Sequence, residues 1–568
     1  MVKTKNLLKI TLSIILFVTS AIALSQTYKP VDYVNTHIGN ISHLLVPTFP
    51  TIHLPNSMLR VYPERGDYTG DLLRGLPLIV TSHRGSSAFN LSPFQGAESD
   101  IKSVINYSYD LEKSTPFSYF VYLDDQQILV NYGISHQAAR YEIQFENDKE
   151  SYLILNSGNG EMHWDGKAIS GFQNLDNTKV YIYLEPGQLP ETVLTISNNG
   201  LIKGTNTRGN NASLILKYAK GKRTIPINYG ISFIDKKQAQ RNLIREVQKK
   251  TVADLQEEGR KIWNKALGKF TIEGGSNDNK TVFYTSLYRS YERPVCISEE
   301  GRYFSAFDGK VHNDEGRDFY TDDWIWDSYR AHHPLRILTD PDKEEDILHS
   351  FLLMAEQMDN HWMPTFPEIT GDSRRMNSNH AVASFIDAYR KGLEKFDLNN
   401  AFLASKNAIT EKTLAPWSGK PAGDLDDFYK NNGYIPALKE GEKETIPEVT
   451  SFEKRQPVAV TLGTSYDEWC LSEIADELNK TEARDYFRKR SFNYRNLFNP
   501  ETQFFHPKDS EGLFIEPFDY RFSGGIGARD SYGENNGWTY RWDVQHNIAD
   551  LIALMGGKRA FFTHSILI

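Results

Sequence analysis

The sequence predicts a multidomain β + α protein, an N-terminal antiparallel β-sandwich followed by a helical toroid. Three observations predict it. The 568 residues exceed one ordinary domain. Residues 30–236 carry short runs of alternating apolar and polar side chains with Gly, Asn and Asp between them. Beyond residue 236 the apolar period lengthens to a helical one, and the loops become long and rich in Pro, Gly and Trp.

The first residues read as a secretory signal over residues 1–25. Lys3, Lys5 and Lys9 precede an apolar run from Ile10 to Leu24, and Ala23-Leu24-Ser25 supplies small residues for cleavage before Gln26. The run is short for a membrane span, and no later run is longer, so no membrane span is predicted. A periplasmic or secreted location follows as an expectation.

The β domain is placed at 26–236. Tyr141-Glu-Ile-Gln-Phe145, Tyr152-Leu-Ile-Leu155, Val180-Tyr-Ile-Tyr183 and Leu214-Ile-Leu-Lys-Tyr218 read as strands. Ser157-Gly-Asn-Gly160 and Asn198-Asn-Gly200 read as turns, and many short strands with such turns suit a sandwich. Residues 237–268 are charged, with Leu243, Val247, Val252, Leu255 and Trp263 on one face, and are predicted to form a linker helix. The region 269–568 is predicted as the toroid, with helices at 281–291, 343–356, 381–395, 401–414, 466–478, 481–497 and 538–555. In such a fold the loops at one end build a pocket.

Composition narrows the function. The net charge is -9, and no basic run stands out, so nucleic acid is not a partner. Cys296 and Cys470 form no metal motif, and two unpaired thiols are predicted. No P-loop, GxGxxG or HExxH appears, and Gly524-Gly525-Ile-Gly527 has no strand before it. Aromatic residues make up 12% of the chain, which suits rings that stack on sugars and equally suits an aromatic core.

Four clusters carry the candidate chemistry. Glycoside hydrolysis uses two carboxylates, one to protonate the leaving oxygen and one to activate water or attack the sugar. Tyr532-Gly-Glu534-Asn-Asn-Gly-Trp538 puts Glu534 in a Gly/Asn loop, where Trp538 and Tyr532 would desolvate it and keep it protonated as a general acid. The same pattern suits an ordinary glutamate in a turn. Asp322-Asp323-Trp324-Ile-Trp326-Asp327 interleaves carboxylates with indoles, as a monosaccharide site does, and equally suits an Asp-capped helix start. In the segment ending Asn379-His380-Ala, His380 is placed to bond a sugar hydroxyl or to be a satisfied core histidine. Tyr466-Asp467-Glu468-Trp469 reads as helix packing.

Taken in order, these clusters resemble glycoside hydrolase family 92. Tyr33-Val-Asn35-Thr-His37-Ile-Gly39, Phe49-Pro50, Pro55-Asn-Ser-Met58 and Gly230-Ile-Ser-Phe233 resemble its first domain. Trp263-Asn-Lys-Ala-Leu267, Phe283-Tyr-Thr-Ser-Leu-Tyr288-Arg289, Trp326-Asp327, Tyr466-Asp-Glu-Trp469, Glu534-Asn-Asn-Gly-Trp538 and Gly556-Gly557 follow in family order. The resemblance implies an exo-acting, inverting, calcium-dependent α-mannosidase, of α-1,2 type, on mannose-containing glycans. It implies a β-sandwich and an (α/α)6 toroid with the site between them. It makes Glu534 the general acid and has Trp326 and Asp327 hold the terminal mannose, with Asp323, His380 and Trp538 from the same clusters as further substrate-binding candidates. A hard Ca2+ ion on the sugar's vicinal oxygens is reasonable chemistry, but its ligands are not assigned in this sequence.

Departures bear on that reading. Thr461-Leu-Gly463 stands where the family has Thr-Leu-Glu, and Glu468 replaces an aspartate. The family's Gly-Asn-Glu-Pro segment and paired aspartates, which serve calcium and the general base, have no counterpart here. The toroid is therefore expected to be incomplete and turnover to be impaired. The alternative reading is a non-catalytic mannose- or glycan-binding form of the same scaffold.

Overall fold

The computed structural model describes residues 28–40, 48–65, 70–81, 87–197, 200–523 and 529–565. The predicted signal segment, residues 1–25, lies outside them. No helix among the described residues is long and apolar enough to cross a membrane.

The first domain is antiparallel throughout. Thirteen strands join one sheet: β1 (Leu76–Ile79), β2 (Phe89–Gln95), β3 (Tyr109–Thr115), β4 (Ser118–Leu123), β5 (Ile128–Ile134), β6 (Ala138–Phe145), β7 (Ser151–Trp164), β8 (Ile169–Leu175), β9 (Thr178–Pro186), β10 (Thr192–Ser197), β11 (Gly200–Lys203), β12 (Asn206–Tyr218) and β13 (Arg223–Ser232). The order runs β11-β10-β12-β7-β8-β9-β13-β6-β5-β4-β3. Strand β7 links the halves: residues 151–157 pair with β2, and residues 160–164 pair with β8. Alternation does the rest. Val121 on β4, Val130 on β5, Ile143 on β6 and Leu216 on β12 all enter one core, so strands from both ends of the order wrap a shared interior.

The predicted linker helix at 237–268 is corrected. It is two helices, α1 (Lys236–Glu246) and α2 (Val252–Leu267), and neither merely links. Thr251 starts the second helix with a capping box: its hydroxyl accepts from Asp254 N at 3.2 Å, and Asp254 accepts from Thr251 N at 2.9 Å. Such a cap begins a helix and cannot sit inside one. Helix α1 packs Ala239 and Leu243 against Tyr183 and Ala138 of the sheet. Helix α2 buries Trp263, whose indole N–H donates to His53 O at 2.8 Å.

The helical domain contains α3 (Asn277–Ser290), α4 (Ile325–Ser328), α5 (His332–Thr339), α6 (Pro341–Gln357), α7 (Ala381–Arg390), α8 (Leu398–Thr410), α9 (Asp424–Asn432), α10 (Pro457–Glu477), α11 (Thr481–Arg490), α12 (Gly537–Tyr540), α13 (Ile548–Leu554) and α14 (Lys558–Ser565). Helix α10 is the spine. It starts nine residues before the predicted 466 because Pro457 occupies its first turn, where a missing N–H is harmless. The helix predicted at 538–555 is interrupted between α12 and α13. Asn547 caps α13 through Asp550 N, so the chain restarts there. Cys296 and Cys470 are both free, as predicted, with Cys470 buried and Cys296 half-buried.

Polar side chains tie the two domains together. Arg60 reaches Asp322 at 2.5 Å, with both side chains buried. Asn56 donates to Pro294 O at 2.8 Å and accepts from Lys343 Nζ at 2.9 Å. Glu299 accepts from Phe233 N at 2.9 Å and from Asn242 Nδ2 at 2.7 Å. Burial pushes the Glu299 carboxyl up to about 7, against those stabilising hydrogen bonds.

Candidate active site

The segment 322–327 leaves the domain junction and turns into α4. Asp322 has φ of 61°, in the left-handed region, and Arg60 and Arg293 hold its carboxylate at 2.5 and 3.2 Å. Aspartate tolerates that backbone better than a bulky residue does. The Arg293 guanidinium lies 4.0 Å from the centre of the Trp324 ring. Beyond these anchors the segment presents Trp326, half-buried, and Asp327, exposed.

Asp327 carries the local electrostatic signature. Its pKa is raised to about 6, first by desolvation, then by the negative charge of Glu534 and of Asp323, with Arg293 opposing. Glu534 therefore acts on Asp327 through space, which brings two of the predicted site residues together. The desolvation predicted for Glu534 itself is corrected. Glu534 is exposed. Tyr532 turns inward and donates to Phe505 O at 2.6 Å, and the Trp538 ring packs edge-on to Phe504 at 5.0 Å. Neither ring shields the carboxylate.

The Glu534 loop is fixed to the Trp326 segment by a short polar chain. Trp326 Nε1 donates to Asn377 Oδ1 at 3.3 Å, and Asn377 Nδ2 donates to Gln456 Oε1 at 2.7 Å. Gly533 lies on that pair. A Cβ there would stand 3.0 Å from Asn377 Nδ2, 3.2 Å from Gln456 Oε1 and 2.5 Å from the Tyr540 hydroxyl, so only glycine allows the approach. Asn535 takes φ of 78°, and Asn536 caps α12 by accepting from Trp538 N at 3.1 Å. The Gly-Glu-Asn-Asn-Gly run thus reads as a tight loop and cap that offers one carboxylate to solvent.

Asp323 is not available to a sugar. Ser328 donates to its Oδ1 at 2.6 Å, and Arg336 and His333 pair with its Oδ2 at 3.1 and 3.2 Å. Burial alone would raise its pKa, but His333 and Arg336 hold it far below the carboxylate range. The pairing assigns Asp323 to the junction of α4 and α5, a correction to its place around the mannose. The reason is that Asp323 lies before the helix start, where Ser328, His333 and Arg336 take up its carboxylate, whereas Asp327 lies inside α4 and is exposed.

His380 is buried, and its Nδ1 lies 2.7 Å from Asp467 Oδ1. The same carboxylate accepts from Asn379 N at 2.6 Å. Its ring sits 4.2 Å from Tyr329 and 5.9 Å from Tyr466, centre to centre. Glu468, one position on, points the other way, to Arg490 at 2.5 Å and Tyr429 at 3.0 Å. Adjacent helical residues diverge by a third of a turn, so one faces the loop and the other the helix packing. Arg330 pairs with Asp543, and Gln545 donates to Tyr329 Oη at 3.0 Å.

Sequence reasoning missed Gln456, Arg293 and Arg60. Each acts across about thirty residues of chain or more, and no local pattern marks such a contact. A separate cleft of about 1060 Å³ between the 302–313 hairpin and α6, lined by Tyr303, Asp308, His312 and His349 among others, contains none of the predicted site residues. Among the described residues no group of three or more His, Cys, Asp or Glu side chains is placed to hold a metal ion. The exposed donors at the site are Asp327 and Glu534, so no calcium ligand is assigned and no step is derived through calcium.

Exposed carboxylates, one of them beside an indole ring, on a sheet domain feeding a helical one are compatible with glycoside hydrolysis. The family comparison is more specific. The glycosyl hydrolase family 92 catalytic-domain model matches residues 238–564, and the family 92 N-terminal-domain model matches residues 33–232. The chain belongs to glycosyl hydrolase family 92. Among solved structures it is similar to the family GH92 inverting mannosidase BT2199 of Bacteroides thetaiotaomicron VPI-5482. The identity is 26% and the TM-score 0.83, over 95% of this chain and 74% of that one. The GH92 α-mannosidase BT3965 of Bacteroides thetaiotaomicron shares the fold at 21% identity and TM-score 0.82, over 95% of this chain and 74% of that one. Comparison with curated protein sequences gives no match.

Proposed function

We propose that the chain is an exo-acting, inverting α-mannosidase of α-1,2 type on glycan α-mannosides, with Glu534 as general acid. The observation that carries the reading is the match to both family 92 domains over residues 33–232 and 238–564, and the exposed carboxylates of Asp327, next to Trp326 in the chain, and Glu534 are in keeping with it. Glycoside cleavage needs a carboxylic acid at the leaving oxygen, and a sugar site commonly adds a ring to stack on and a carboxylate to bind hydroxyls. In this reading Trp326 offers its face to the terminal mannose, and Asp327 accepts hydrogen bonds from its hydroxyls. His380, oriented by Asp467, bonds a further hydroxyl, and Trp538 closes the site from the Glu534 side. Glu534, exposed until the sugar arrives, becomes desolvated by the sugar and protonates the leaving oxygen. No described residue is given the general-base role. The family relatives support the substrate class: one is an inverting mannosidase, and another was solved with mannoimidazole. The lysine-led apolar segment at 1–25 supports export.

The test is hydrolysis of α-1,2-, α-1,3- and α-1,6-mannobiose, with the anomer of released mannose followed by proton NMR. Release of β-mannose from the α-1,2 substrate, lost in Glu534→Gln, supports the reading. Turnover that survives Glu534→Gln overturns the acid assignment. Binding of mannobiose without any release points instead to a glycan-binding scaffold.

A further inference from the structure

Two exposed rings stand at the edge of this site. Trp417 is 41% exposed and Phe452 is 57% exposed, and their centres lie 6.4 Å apart with the planes tilted by 56°. Single exposed rings occur elsewhere on this chain, as at Phe522 and Phe562, and what sets these two apart is that they lie against each other. Two such rings at that angle form a shallow V.

Both rings are held out by rigid loops. Trp417 takes φ of 61°, in the left-handed region, which a bulky side chain adopts only under constraint. Its loop is clamped at the base by Thr413 N to Lys420 O at 3.0 Å and Ala422 N to Glu411 O at 2.8 Å. In the Phe452 loop Lys454 and Gln456 have φ of 58° and 46°, and Lys454 N donates to Thr450 O at 2.9 Å.

The rings are continuous with the site. Gln456 carries the Phe452 loop to Asn377 and so to Trp326. Arg375, two residues before Asn377, lies 5.7 Å from the centre of Trp417. On the other side Arg529 lies 4.6 Å from the centre of Phe452. Each guanidinium already has a carboxylate: Arg375 pairs with Glu368 at 3.5 Å, and Arg529 pairs with Glu453 at 2.9 Å. The platform therefore carries no spare positive charge for an anionic sugar. Each guanidinium lies over its ring, so a neutral pyranose would set its C–H face on the side of the ring away from the arginine.

We propose that Trp417 and Phe452 form a stacking platform for a neutral pyranose unit of the glycan, beyond the terminal mannose at Trp326. The proposal rests on the mannoside reading above for the identity of that neighbouring sugar.

The experiment is calorimetric titration of the full chain with methyl α-mannoside, α-mannobiose and α-mannotriose. The unchanged protein is compared with Trp417→Ala, Trp417→Phe, Phe452→Ala and Asp327→Asn. The expected result is that the longer sugars bind roughly tenfold tighter than methyl α-mannoside. That gain disappears in Trp417→Ala and Phe452→Ala and returns in Trp417→Phe, while methyl α-mannoside binds these variants as before. Thermal midpoints check that the variants fold, which the exposure of both rings favours. If Trp417→Ala and Phe452→Ala keep the gain, the platform is overturned, and binding lost only in Asp327→Asn leaves the mannose reading standing. If Asp327→Asn changes nothing while Trp417→Ala loses the gain, the platform stands and the mannose reading fails. If none of the sugars binds, both are overturned.

Discussion

His380 and Asp467 are joined at 2.7 Å, and the carboxylate is fully buried beneath the loop it orients. Because Asp467 also takes the N–H of Asn379 at 2.6 Å, one side chain sets both the ring and the backbone of that loop. Asp467→Asn keeps one acceptor and replaces the other with a donor. A buried polar group left unsatisfied costs about 1–3 kcal/mol. The expected outcome is a lower midpoint in denaturant unfolding and weaker binding of methyl α-mannoside. Unchanged stability would show that the pair does not hold the loop.

Asp327 gives the site a pH dependence. Its pKa is raised from 3.8 to about 6, so the carboxylate forms fully only above that pH. As a hydroxyl acceptor it then binds mannose better as pH rises through about 6. Glu534→Gln removes a neighbouring negative charge, so the Asp327 pKa falls and the transition moves to lower pH. Arg293→Ala removes an opposing positive charge and moves it up. Affinity for methyl α-mannoside measured from pH 4.5 to 8 reads both signs.

Glu299 predicts a second pH effect, on stability. Its folded pKa of about 7 lies above the ordinary 4.5, so the native state holds the proton more tightly than the unfolded chain. Stability then falls as pH rises from about 4.5 to about 7, and the penalty is complete above 7. At 1.36 kcal/mol per pKa unit the effect is at most about 3 kcal/mol. Glu299→Gln flattens that part of the profile, as thermal midpoints taken across the range would show.

Gly463 lies inside α10, where a Cβ would stand 1.9 Å from Ser378 Oγ and 3.6 Å from His380 Cε1. Gly463→Ala therefore pushes on the His380 loop and destabilises by about 1–3 kcal/mol, despite alanine's better helix propensity. Ser378 has φ of 72°, so Ser378→Gly removes both the obstruction and a strained backbone. The double variant is expected to be more stable than Gly463→Ala alone. Additive single effects in a double-mutant cycle would refute the contact.

The sheet domain was legible because its strands alternate, as in Tyr141 to Phe145, where buried and outward residues take turns. The start of α10 was not, because Val458 to Ser465 are buried on every side and a helix without a polar face has no period to read. The 237–268 segment showed its apolar face but hid its break, although Thr251-x-x-Asp254 is a capping signature in plain view. At the site, Trp326 and Asp327 were legible as one short segment of indole and carboxylate, and Glu534 as a carboxylate in a Gly/Asn loop. Asp323 differed because Arg336 and His333, ten or more residues further on, fold back to pair with it. The shielding expected at Glu534 failed because neighbours in sequence, Tyr532 and Trp538, found interior partners instead.

Arg60 holds Asp322, and Asp322 begins the segment that ends in Trp326 and Asp327. The segment carrying Trp326 and Asp327 is thus anchored by a side chain from the other domain. A fragment starting at residue 237 would keep every helix of the second domain yet lose the cation that fixes this segment. The two domains also share one apolar core, in which Val121 and Ile143 of the sheet join Tyr288, Phe319 and Met354 of the helical part, so cutting between them would open that core to solvent.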